Sequence, residues 1–125
     1  MNDEELKDFL GPVAWEKYGR ISELEKGRVQ KWCAEVAAMS DAELVRATAS
    51  QVTGEAVLSS RGVYSTYDDI LTTVCYQESG RRHVKAGHTE ECRGDTLYSK
   101  GHSRAVREAG FTASDPYPCD CGAVS

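Results

Sequence analysis

Residues 22–36, SELEKGRVQKWCAEV, decide the fold class. Ser22 and Glu25 stand at capping-box spacing, in which the serine hydroxyl accepts from the third helical N–H and the glutamate reaches back to the cap. Val29, Trp32, Cys33 and Val36 then recur at helical spacing and mark one apolar face. The same grammar returns at Ser40 and Glu43, and Leu44, Val45, Thr48, Ala49, Val52, Ala56 and Val57 carry the helical period onward. Gly54 weakens the middle of that helix, and Gly62 is its expected stop.

Outward from this pair, the pattern predicts two more helices before residue 80. Asp3, Glu4 and Glu5 fill the first turn of a short helix over 3–10, where the helix dipole favours acids, and Gly11-Pro12 ends it. A fourth helix spans 66–79. Ser65 or Thr66 caps it, Asp68 and Asp69 occupy its first turn, Ile70, Leu71, Val74 and Cys75 form its buried face, and Gly80 terminates it. Trp15, Trp32, Tyr64, Tyr67 and Tyr76 are expected in core and edge packing, since they are not interleaved with basic residues as a base-stacking platform would be.

Beyond Gly80 the pattern changes. Glycines fall at 87, 94, 101 and 110, and apolar residues thin out. One short helix is expected around 103–109, capped by Ser103 and stopped by Gly110-Phe111. Pro116 and Pro118 keep the tail out of helix, and short strand pairing fits 111–119. The expected architecture is mainly α and a single compact domain, with a four-helix region over 1–80 and an irregular, zinc-stapled section over 81–125 packed on it.

A chain of 125 residues makes one domain. Its hydrophobic content of 40% and aromatic content of 8% allow only a modest core, the situation in which a structural metal contributes most. Met1-Asn2-Asp3-Glu4-Glu5 is acidic and holds no apolar signal region, and no apolar run approaches the length of a membrane span. The expected location is the cytoplasm, with no membrane partner. In a reducing compartment, five cysteines read as metal ligands and core thiols rather than as disulfides.

The candidate ligands are His88, Cys92, Cys119 and Cys121, with His83, His102 and Cys75 in reserve. Thiolates with imidazole are the donor set that favours zinc. On a helix capped by Thr89, His88 and Cys92 would share a face at i and i+4. Cys119-Asp120-Cys121 is a tight pair on a Pro-flanked loop, so two distant pairs would close a tetrahedral site. Cys33 and Cys75 fall on apolar helix faces and are expected in the core.

His88-Thr89-Glu90 followed by Pro118-Cys119-Asp120-Cys121 resembles the signature of the zinc nucleobase and nucleoside deaminases, H-x-E then P-C-x-x-C. The resemblance implies zinc on His88, Cys119 and Cys121, with one open position for a water and Glu90 as the proton shuttle. It covers about seven residues. The sequence has P-C-x-C, one residue short, and offers capped helices where that family has sheet strands. A nucleophilic pairing of Cys92 with His88 lacks an evident orienting group and an oxyanion hole. Glycine-rich phosphate loops of either common form are absent from the sequence.

The net charge of −5 is unevenly spread. Within 81–107, Arg81, Arg82, Lys85, Arg93, Lys100, Arg104 and Arg107 stand against Glu90, Glu91 and Asp95. This polarity fits neither an acidic DNA mimic nor a broadly basic nucleic-acid coat. Arg81, Arg82, Lys85, Arg104 and Arg107 are the candidate nucleic-acid contacts, although the acidic chain as a whole favours their solvating a metal-stapled surface. The expected function is a non-enzymatic, zinc-binding interaction or regulatory protein acting through a protein partner, or less readily a nucleic acid. A divergent zinc deaminase is the alternative.

Overall fold

Each helix begins at a side chain that accepts from the backbone N–H three residues on: Asn2 from Glu5, Ser22 from Glu25, Ser40 from Glu43, Ser65 from Asp68 and Thr96 from Ser99. At Ser22, Ser40 and Ser65 the acid three residues later also accepts from the cap N–H, completing a capping box. The computed structural model describes residues 1–89, 92, 94 and 96–113, and these form five helices and no strand. They are α1 (Asp3–Tyr18), α2 (Glu23–Ala38), α3 (Asp41–Ser60), α4 (Thr66–Lys85) and α5 (Leu97–Glu108). None of them is long and apolar enough to cross a membrane.

Three helix ends share one device. Gly62, Gly87 and Gly110 adopt positive φ. Around each, the glycine N–H reaches back three residues and the next N–H reaches back five, as in Gly62 to Ser59 with Val63 to Leu58, and Gly110 to Arg107 with Phe111 to Val106. These are Schellman motifs, in which the left-handed glycine folds the chain back over the last turn.

The structure departs from the sequence reading in four places. The first helix does not stop at Gly11-Pro12. Gly11 takes φ 81° and kinks the chain, and Pro12, whose fixed φ suits a first turn, starts a second helical segment that runs to Tyr18. Gly80 does not end α4, which continues to Lys85 and buries His83 in its last turn. The fifth helix starts at Leu97, two turns before Ser103, with Thr96 as its cap. His88 and Thr89 are not helical, so the expected i, i+4 placement of His88 and Cys92 on one helix face does not occur. Residues 111–113 form no strand, and the remainder of 111–119 lies outside the described residues.

α4 touches all four other helices, while α5 rests chiefly on α3. The core joins Leu6, Leu10 and Ala14 of α1, Val29, Cys33 and Val36 of α2, Leu44 of α3, and Ile70, Val74 and Cys75 of α4. Trp32 packs on its edge and donates from Nε1 to the Leu71 carbonyl. Cys33 and Cys75 are fully buried, as their apolar faces predict.

The α3–α5 crossing needs a glycine. A Cβ on Gly101 would stand 2.6 Å from Thr48 Cβ and 2.8 Å from the Val45 carbonyl oxygen. The helices therefore meet backbone to side chain, and the missing side chain at Gly101 is what permits the contact. Alanine is the better helix former by about 1 kcal/mol, yet overpacking costs about 1–3 kcal/mol. Gly101→Ala is expected to lower stability by about 1–2 kcal/mol in urea unfolding. A variant as stable as the parent would show that α5 does not approach α3 this closely.

Candidate metal centre

The last turn of α4 and the Schellman motif behind it build the site. Gly87, at φ 106°, turns the chain, its N–H donating to the Val84 carbonyl and the His88 N–H to that of His83. In such a motif the residue after the glycine packs back on the residue five before it. Here both are histidines, and their rings stack at 3.7 Å between centroids, 10° from parallel. Cys92 follows, its N–H donating to the Thr89 carbonyl at 3.1 Å. Its Sγ lies 3.1 Å from His83 Nε2, 3.7 Å from His88 Nδ1 and 3.9 Å from the Gly94 carbonyl oxygen. His83 is 8% exposed and Cys92 6%, while His88 is half-buried.

One donor atom from each of His83, His88 and Cys92 lies within 4.8 Å of the others, so together they could hold a metal ion. His83 is a reserve ligand in the sequence reading, which ends the fourth helix at Gly80. The signal that could have found it is the pair His83 and His88 flanking Gly87 at Schellman spacing. His102 is exposed on α5 and stands outside the cluster. Cys75 also stands outside it, in the core about 12 Å along the α4 axis from His83. Cys119, Cys121 and Glu90 lie outside the described residues.

The neighbouring arginines hold the helix that carries His83. Glu78, with its side chain 12% exposed, accepts from Arg81 Nε at 3.0 Å and from Arg82 Nε at 2.9 Å. Arg81 stacks its guanidinium 3.9 Å over the Phe9 ring and donates to the Phe9 carbonyl. Arg82 donates to Asp41 at the start of α3 and to the Val36 and Met39 carbonyls at the end of α2. α2 has no basic residue in its last turn, and Arg82 of α4 serves its open carbonyls instead. Lys85 is exposed at the end of α4, and Arg104 pairs with Glu108 on the outer face of α5.

Comparison with known proteins finds no match, whether a family model, a curated protein or a solved structure.

Burial pushes the Cys33 thiol up to about 12 and the Cys75 thiol up to about 11. Unfolding releases both to the ordinary thiol range near 8.5. A raised folded value means stability that is complete below about pH 8.5 and declines as pH rises towards 11–12. Urea unfolding from pH 7 to pH 10 should show that decline, and Cys75→Ala should flatten part of it. Removing the shared carboxylate tests the arginine frame: Glu78→Ala is expected to cost about 3 kcal/mol, because it leaves two partly buried guanidinium groups short of a partner. Arg104→Ala, which breaks an exposed pair, should stay within about 0.5 kcal/mol of the parent. Similar losses for the two variants would contradict a structural role for Glu78.

Proposed function

We propose that this chain is a non-enzymatic, metal-binding interaction protein in which a zinc ion on His83, His88 and Cys92 ties the segment after α4 to the helical body. The convergence of two imidazole nitrogens and one sulfur carries this reading. A tetrahedral zinc with nitrogen at about 2.0 Å and sulfur at about 2.3 Å sets the N···S edge at about 3.5 Å. The observed edges of 3.1 and 3.7 Å bracket that value. A thiolate with two imidazoles selects zinc over calcium or magnesium, which prefer oxygen.

Two imidazoles on one tetrahedral ion stand about 5 Å apart between ring centroids. The stacked rings, at 3.7 Å, must therefore part, and half-buried His88 has the room to turn. Cys119 and Cys121 are the sequence's candidates for the fourth position. The donor set accounts for Cys92, which the deaminase resemblance leaves unused, and the described residues are all helix and turn rather than sheet.

The partner we propose is another protein. The chain is acidic overall, and Arg81 and Arg82, two of the five candidate phosphate contacts, are engaged within the fold. If nucleic acid were the partner, its affinity would fall steeply with added salt.

Reduced, chelator-treated protein should take up one equivalent of cobalt with a thiolate charge-transfer band, and zinc should displace it. Cys92→Ser should abolish the band, and His83→Ala should weaken binding by more than about 100-fold, beyond the usual loss for an outer-shell partner. His102→Ala should leave binding unchanged. Zinc at about 100 times its dissociation constant should add about 2.7 kcal/mol of stability. Protein that takes up neither metal would sink the proposal.

A further inference from the structure

α5 brings little apolar bulk to its contact with α3. Its buried residues are Gly101 and Ala105, which offer at most a methyl group. The buried members of the core come from α1, α2, α3 and α4, and α5 adds only Leu97 at the edge. Tyr98 meets Tyr76 edge to face, and the buried Ser79 hydroxyl accepts the Tyr98 N–H at 2.9 Å. A helix of 12 residues is marginal by itself, so α5 keeps its form by being docked.

The start of that docked helix lies beside the metal centre. Ser79, which holds Tyr98, and His83 stand one turn apart on the same face of α4. Residues 86–96 join α4 to α5. Without an ion, those eleven residues are the tether of α5. With Cys92 tied to His83 by an ion, the tether shortens to the four residues 93–96. The entropic cost of closing a flexible connection grows with three-halves of the logarithm of its length, so the shorter tether favours docking by about fivefold.

We propose that the ion is a latch for α5: bound at His83, His88 and Cys92, it holds α5 on α3, and its removal loosens the helix. Loosening uncovers Thr48, which is fully buried in the docked state with Gly101 against it. This inference rests on the zinc reading and carries it beyond the segment after α4 to the next helix. The coupling is reciprocal, so a chain whose α5 cannot dock binds the ion more weakly by the same factor.

The test is amide hydrogen exchange read by NMR, on chelator-treated protein and again after one equivalent of zinc, with cobalt uptake measured first. Ala105 and Val106 report α5, while Cys33 and Val36 in the core face of α2 report global unfolding. In chelator-treated protein the α5 amides should exchange at least about tenfold faster than those of α2, through an opening of α5 alone. Zinc should slow them by about fivefold or more. A Cβ at position 101 would already stand 2.6 Å from Thr48 Cβ, so Gly101→Leu forces α5 off α3. That variant, its α5 amides unprotected, should bind cobalt about fivefold more weakly than the parent. If it does not fold, exchange in the parent still decides. Exchange of α5 as slow as that of α2 without metal, exchange of α5 unchanged by zinc, or full cobalt affinity in a Gly101→Leu chain with α5 unprotected would each overturn the latch and leave the zinc reading standing. Failure of cobalt uptake would sink both.

Discussion

Glu78 joins two arginines on one turn of α4, and the placement of every other helix depends on that turn. Through Arg81 it reaches the Phe9 carbonyl and ring of α1. Through Arg82 it reaches the open carbonyls of α2 and the first turn of α3. One residue along, Ser79 accepts from the first turn of α5. A carboxylate this buried would be a liability if unpaired, and two guanidinium groups leave neither oxygen without a donor. The frame fixes the axial position of α4 and keeps it helical past Gly80, which by intrinsic preference favours an earlier end.

That extension makes the metal centre. His83 lies on the extra turns, and the Schellman fold-back at Gly87 brings His88 over it. Cys92 then approaches both rings from a segment with few apolar residues of its own. An ion bound there would link the segment after α4 to a turn anchored on α1, α2 and α3, so its binding free energy would act as folding free energy for that segment.

The starts of α2, α3 and α4 were legible because capping is local. A serine and an acid three residues on determine their own geometry, and Ser22, Ser40 and Ser65 cap where the spacing says. The burial of Cys33 and Cys75 was legible from helical periodicity. The stops were legible at Gly62 and Gly110, where Leu58 with Val63 and Val106 with Phe111 supply apolar pairs across the glycine. Gly80 and Gly101 were misleading. Glycine interrupts a helix only when nothing outside the helix compensates, and at these positions the compensation comes from other elements: the arginine frame at Gly80, and the face of α3 at Gly101.

The sequence by itself determined the helical class, the caps of α2, α3 and α4, and the donor types near the end of α4, because each follows from residues within a turn or two of one another. Tertiary structure alone decided how far α4 runs, that α5 starts at Leu97, and that His83 rather than Cys75 or His102 joins His88 and Cys92. Those outcomes rest on contacts between residues up to 72 positions apart, such as Arg81 with Phe9. A side chain's helical preference is worth about 1 kcal/mol or less, and a shared buried carboxylate or a close helix crossing outweighs it.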